Sequence, residues 1–218
     1  MVRRSRRHYS DRLLVLALAL AAVAYLCGSI PTGVLLSRRR GVDPRDIGSG
    51  NIGATNVARA AGATAGLLTL LGDALKGLVP VLVAKSLGLA STAVAVVGLA
   101  AFLGHLYSCF LGFEGGKGVA TTFGVLLGLA PIGATLLVVL FLAAVAIGRY
   151  VSVASLLAAA FTAPILLSIG YSAPTVLAGF AMSVLVAVRH RDNIRRLRFG
   201  TEPRVGIARP TDVDSGVA

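Results

Sequence analysis

Long apolar blocks at residues 13–36, 67–84, 87–103, 119–147, 151–169 and 173–188 constrain this chain more than any other feature. Most approach the roughly 20 residues that a helix needs to cross a 30 Å hydrocarbon core. In lipid every backbone polar group must be paired within the protein, and runs rich in Ala, Leu, Val and Gly meet that demand as helices rather than barrel strands. Composition agrees, with 56% hydrophobic and only 14% charged residues in 218 and a mean hydropathy of +0.84. The expectation is an all-α, polytopic membrane protein. A soluble domain of this size would carry far more surface charge.

The first block follows a basic run, as a signal peptide would, but it extends for about 24 residues and more apolar blocks follow it. It is read as a retained helix. Twenty-one Lys and Arg against nine Asp and Glu give a net charge of +12. The cations lie almost wholly between or beyond the apolar blocks, where the positive-inside rule and anionic lipid headgroups account for them. Nucleic acid is therefore not expected as a partner. Cys27 and Cys109 have no metal-ligand spacing and read as buried small residues. No metal cluster and no cofactor motif are found, which predicts a metal-independent protein.

Organisation follows from charge. A basic N-terminal tail (1–12), one helical membrane domain (13–200) and a C-terminal tail (201–218) are expected, with disorder confined to the first ten residues and to the chain after about Arg204. Arg38, Arg39, Arg40, Arg45 and Arg59 mark the segment after the first helix as cytoplasmic, and Arg189, Arg191, Arg195, Arg196, Arg198, Arg204 and Arg209 do the same for the tail. Ala130-Pro131 divides the longest block, because proline disfavours helical geometry in the residue before it. That leaves residues 119–129 as a helix about 17 Å long, too short to cross the core but suited to lining a polar cavity. The count is then seven helical segments, one of half length, with the C-terminus inside and the N-terminus outside. Arg3, Arg4, Arg6, Arg7 and Arg12 favour the opposite side for the N-terminus, which six spans would satisfy.

Polar sequence at the cytoplasmic helix ends carries the functional signal. Residues 48–56 read G-S-G-N-I-G-A-T-N, in which Ser49, Asn51, Thr55 and Asn56 offer neutral donors and acceptors among glycines. Flanked by Arg45 and Arg59, the stretch suits an anion or a polyol. Residues 115–118 read G-G-K-G and open the short helix, where backbone amides and Lys117 together suit a phosphate. The spacing is not that of a nucleotide-hydrolysing P-loop, since Gly118 follows Lys117. Asp73 and Lys76 interrupt an apolar stretch one turn apart, either as a tolerated ion pair or as a functional one. His105 beside Tyr107 is open to the same two readings. His190 and Asn193 are three apart, on one face if the last helix continues, and Ser152 and Ser155 repeat that spacing after Arg149-Tyr150.

Six segments in order resemble one family: G-S-I-P-T-G at 28–33, residues 46–59, D-A-L-K-G-L-V-P-V at 73–81, residues 104–124, R-Y-V-S-V-A-S at 149–155, and residues 189–202. The chain from about residue 26 to 204 is similar to the bacterial membrane glycerol-3-phosphate acyltransferases that use acyl phosphate, often called PlsY. The resemblance implies seven helices in the bacterial cytoplasmic membrane with a site at the cytoplasmic face. It also implies transfer of a fatty acyl group from acyl phosphate to the 1-hydroxyl of glycerol 3-phosphate, giving lysophosphatidic acid and phosphate. Membrane lipids and contact with the enzyme that makes acyl phosphate are the further partners implied. On this resemblance Arg45, Ser49, Asn51, Asn56 and Arg59 hold the glycerol phosphate, and Gly115, Gly116, Lys117 and Gly118 cradle a substrate phosphate. Lys117, His190, Asn193 and Ser155 are then the catalytic residues, with Ser152 completing the pocket.

The soluble acyltransferase signature, a His with an Asp five positions on, is absent: Leu13, Phe110 and Arg195 follow His8, His105 and His190 at that distance. Within the family the substrate phosphate is thought to act as base. The chain departs from the family pattern at Ser108 and Cys109, where a proline is common, and in its longer basic N-terminus. The rival reading, a transporter or channel for an organic phosphate, predicts an inverted repeat that the glycine loops do not show. A lipid-binding structural protein leaves the amide-rich loop unexplained, and acyl-CoA remains open as the donor.

Overall fold

The structure is a computed structural model that describes residues 2–205, with side chains from residue 11 onward. The side chains of Arg3, Arg4, Arg6 and Arg7 and the tail beyond residue 205, Arg209 included, lie outside the described residues. The described chain is helical: α1 (Val2–Ser29), α2 (Thr32–Arg38), α3 (Ala54–Ala61), α4 (Ala63–Ser86), α5 (Ser91–Leu106), α6 (Val119–Leu129), α7 (Pro131–Gly148), α8 (Val151–Ile169), α9 (Ala173–Arg189) and α10 (Arg191–Arg198). A 3-10 turn, Cys109–Leu111, stands between α5 and α6.

Among the described residues five helical stretches are long and apolar enough to cross a membrane, taking α1 and α2 together; the bent α9–α10 pair makes six if it is taken as one span, and α6 is a short apolar helix. The segments read from the sequence correspond to these elements, and α6 ends where Ala130-Pro131 requires. Outward-facing leucines such as Leu14, Leu67, Leu142 and Leu167 are about half exposed or more, which suits lipid and not water.

Two breaks differ from the expectation. The first block is not one helix: Pro31 lacks an N–H and turns Ile30 out of helical geometry, so the chain restarts at Thr32. The Ile30 carbonyl accepts the Thr32 N–H at 3.0 Å and a second hydrogen bond from Lys76 Nζ at 3.0 Å. The last helix does not continue either. It bends by 53° at His190, which ends α9 and precedes α10. Asn193 still lies one turn beyond it, because Ile194 N–H bonds His190 O at 2.9 Å.

Small residues let two helix pairs touch backbone to backbone. On α1 and α5 a methyl at Gly28 would sit 1.9 Å from Ala101 O, and one at Gly104 would sit 2.1 Å from Tyr25 O. The α4–α6 crossing is built the same way, with Gly124 against Ala74 O and Gly77 against Thr121 O. Since lipid supplies no hydrophobic drive between helices, such close packing is a main source of association. The far end of α6 is not left bare: Lys85 Nζ reaches the Gly128 carbonyl at 2.5 Å, in the last turn, where helix carbonyls lack partners.

Candidate active site

The G-S-G-N loop is organised by one side chain. Asn56, 3% exposed on α3, donates through Nδ2 to Pro44 O (2.7 Å), Asn51 O (2.9 Å) and Ile47 O (3.0 Å), while its Oδ1 accepts from Ser49 N–H (3.0 Å). Asn51 Oδ1 in turn accepts from Gly53 N–H at 2.8 Å, an Asx turn that leads into α3. Gly48 adopts φ +64°, and any Cβ there would stand 2.5 Å from Asn56 Oδ1. The loop is therefore folded around an amide hub.

The G-G-K-G segment lies across the end of α5. Gly116 N–H bonds His105 O at 3.1 Å, and Arg189 holds the opposite side by donating to Gly115 O (2.6 Å) and Gly116 O (3.2 Å). Lys117 then projects to Asn193 Oδ1. Asn193 Nδ2 donates to Glu202 Oε1 at 2.6 Å, and Arg196 Nε donates to Glu202 Oε2 at 2.7 Å. The resulting row Lys117–Asn193–Glu202–Arg196 joins three chain segments. Its last carboxylate arrives on a strap after α10, fastened by Arg204 Nε to Tyr150 Oη (2.8 Å) and by Val205 N–H to Arg149 O (2.8 Å).

These groups border a cavity of about 460 Å³. At its polar end stand Ser49, Asn51, Asn56, Arg59, Lys117, Gly118, Ser152, Ser155, His190 and Asn193, all of them read from the sequence as site residues. Arg45, Gly115 and Gly116 are not on the wall. Arg45 is exposed and forked onto Asp43 (Nε–Oδ1 2.9 Å, Nη2–Oδ2 2.7 Å), and the two glycines lie behind Lys117. Ser155 Oγ bonds back to Val151 O at 2.8 Å. Arg196 and Glu202 are wall residues that sequence reasoning did not select. A single acid near the end of a run of arginines was the available signal. The other end of the cavity is apolar, walled by Phe123 and Leu126 of α6, Leu137 and Phe141 of α7, and Ala158 and Ala159 of α8.

The electrostatics favour an anion. Once Asp73 is set against Lys76 (2.9 Å), the wall carries three cations, Arg59, Lys117 and Arg196, and one carboxylate, Glu202. Burial, followed by the Arg196 charge, lowers Lys117 to about 8. Lys117 is thus still protonated at neutral pH. Burial pushes His190 down to about 4, although its bond to Val186 O opposes the shift. Its Nδ1 lies 2.7 Å from that carbonyl, so Nδ1 carries the proton and Nε2 is left as an acceptor. Burial pushes Glu202 up, but bonds from Asn193 and Arg196, with Ser152 adjoining, bring it below the usual carboxylate range. Gly118 caps α6, and the amides that follow it have no partner within the helix; Gly118, Val119 and Ala120 all border the cavity. Among the described residues no group of three or more His, Cys, Asp or Glu side chains could hold a metal ion.

A family profile described as glycerol-3-phosphate acyltransferase matches residues 18–200. The chain belongs to the glycerol-3-phosphate acyltransferase family. Relatives of that name include one from Geobacter sulfurreducens, 58% identical over 189 residues that cover 86% of this chain and 96% of the relative. Another, from Thermus thermophilus, is 46% identical over 184 residues, covering 84% and 92%. Among solved structures the fold is similar to the glycerol 3-phosphate form of PlsY (YgiH), an integral membrane glycerol 3-phosphate acyltransferase. The TM-score is 0.84 and the identity 43%, with 87% of this chain and 96% of that one covered. The lysophosphatidic acid form of the same enzyme aligns with a TM-score of 0.82. The family fits an acyltransferase embedded in a membrane through several helices, and not a transporter.

Proposed function

We propose that this protein transfers a fatty acyl group from acyl phosphate to the 1-hydroxyl of glycerol 3-phosphate at the cytoplasmic face of the bacterial inner membrane. One observation carries the reading: a single cavity joins a cation-lined polar end to an apolar slot between α6, α7 and α8. Two phosphates and a hydrocarbon chain are the chemistry that such a cavity accepts. The solved relatives were obtained with glycerol 3-phosphate and with lysophosphatidic acid, an acceptor and a product of this reaction.

An acyl phosphate is already activated, so the protein's task is to hold two anions together and to stabilise charge on the reacting groups. Lys117 and the first amides of α6 take one phosphate. Arg59 and the Asn56-organised loop, with Ser49 and Asn51, face the other, while Arg45, forked onto Asp43, braces the loop's outer edge. Ser152, Ser155 and Asn193 align the acceptor, whose 2-hydroxyl donates to the unprotonated Nε2 of His190 while its 1-hydroxyl turns its proton toward the departing phosphate. The 1-hydroxyl oxygen bonds to the acyl carbon, the carbon–oxygen bond to phosphate breaks, and the departing phosphate takes up the proton. Phosphate acts as the base in this scheme because His190, at about 4, is a weak one. Residues 115 and 116 act from behind, fixing Lys117.

The test is phosphate release by the purified protein given palmitoyl phosphate, with and without glycerol 3-phosphate, alongside Lys117→Ala. Release that depends on glycerol 3-phosphate, yields lysophosphatidic acid and fails in the variant is the expected result. Turnover with acyl-CoA and none with acyl phosphate would refute the assigned donor.

A further inference from the structure

Behind the phosphate loop lies a second polar cluster that the transfer scheme does not use. Asp73, Lys76 and His105 are 3%, 9% and 4% exposed. Lys76 Nζ stands 2.9 Å from Asp73 Oδ1 and bonds the Ile30 carbonyl, while Thr32 Oγ1 donates to the same carboxylate oxygen at 2.5 Å. The cluster thus gathers α4, α5 and the α1–α2 break. Burying ions costs several kcal/mol apiece, and apolar side chains of the same volume would pack the bundle at least as well. A purely structural cluster also has no reason to face a cavity, yet Asp73 and His105 both border it.

His105 supplies the reason. Its Nδ1 is buried without a hydrogen-bond partner, 3.7 Å from Asp73 Oδ1. The other edge of the ring faces the loop so closely that a methyl on Gly116 would lie 2.2 Å from Nε2. The backbone carbonyl of the same residue accepts the Gly116 N–H at 3.1 Å. His105 therefore meets the loop twice, through its ring and its backbone, one residue before Lys117. Arg189 clamps the opposite side. We propose that His105, oriented by Asp73, is a positioning residue that sets where Lys117 meets a substrate phosphate. This rests on the reading above that the loop takes a phosphate. It also accounts for glycine at 116, where any side chain would displace the ring.

The experiment is a double-mutant cycle read by calorimetric binding of glycerol 3-phosphate and of inorganic phosphate. It compares the full-length protein with His105→Ala, Lys117→Ala and the pair, and records the thermal midpoint of each. His105→Ala should weaken binding about tenfold where Lys117 is present, the order of one displaced charge-assisted hydrogen bond. In the Lys117→Ala background the loss should be under about twofold, because the group being positioned is gone. His105→Gln, which keeps a polar group beneath Gly116, should recover most of the affinity, and His105→Leu, which keeps the volume without the polar edge, replaces the alanine in the cycle if that variant does not fold. Equal losses in both backgrounds, or a lower midpoint with unchanged affinity, would overturn the positioning role and leave the phosphate site standing. A wild-type protein that binds neither probe would sink the phosphate reading itself, and this inference with it.

Discussion

Asn56→Asp changes one atom's chemistry and almost no volume, and it should disable the acceptor loop without unfolding the bundle. The amide nitrogen serves three carbonyls, those of Pro44, Ile47 and Asn51, at 2.7 to 3.0 Å. A carboxylate there removes both hydrogens and points an anionic oxygen at all three. Each shielded carbonyl left without its partner costs about 1–3 kcal/mol, so the three together cost the loop roughly 3–9 kcal/mol before repulsion is counted. The long helices pack through glycine crossings elsewhere, so the thermal midpoint should move little. A loop that must be reordered by substrate lowers affinity by at least about 100-fold, at 1.36 kcal/mol per decade. Two assays check this: KM for glycerol 3-phosphate, and amide exchange over residues 44–56, which should speed up in the variant alone. Acidifying the variant should recover part of the affinity, because protonating the new carboxyl restores one donor. An Asn56→Asp protein with wild-type KM and exchange would refute the hub.

Activity should fall on the alkaline side as Lys117 loses its proton near pH 8, through a rising KM for the phosphate substrate that a pH series at subsaturating substrate would measure. Glu202→Gln should shift that alkaline limb to lower pH, because the Glu202 charge is one of the influences that raise Lys117. An unmoved limb would place Glu202 outside Lys117's field. No inflection from His190 should appear between pH 5.5 and 7.5, given a value of about 4, and a rate profile without a step near 6.5 checks it. Gly124→Val should cost about 1–3 kcal/mol or more by wedging α6 off α4, seen as a lower midpoint in detergent, while Gly148→Val, which meets open space, should be close to silent.

The sequence made α6 readable to the residue, because Gly118 and Pro131 bracket it and each has a backbone reason to stop a helix. Lys117, His190 and Asn193 were readable as polar interruptions that topology alone does not need. The break at Ile30 was also signalled, by Pro31, but a run of apolar residues on both sides concealed it. The bend at His190 carried no proline or glycine, since it depends on where Arg189 and the 115–118 loop meet. Arg45's turn toward Asp43 depends on side-chain geometry two residues apart, which spacing does not fix. Glu202 was hidden for another reason: it reaches the site only because the chain reverses at Gly200, whose φ is +68°, and no periodicity crosses that turn.

Lys85 gives the half-length helix a further meaning. A helix ending inside a membrane leaves about half a negative charge at its last carbonyls and half a positive one at its first amides. The Lys85 ammonium on Gly128 O neutralises the negative end, so the field at the phosphate loop is not diminished by an opposite pole half a membrane away. The two lysines thus stand at opposite ends of one helix dipole. On the proposed reading Lys117 meets the substrate's charge at the positive end while Lys85 offsets the negative end, so a residue some distance from the reaction becomes part of how strongly the protein would hold an anion.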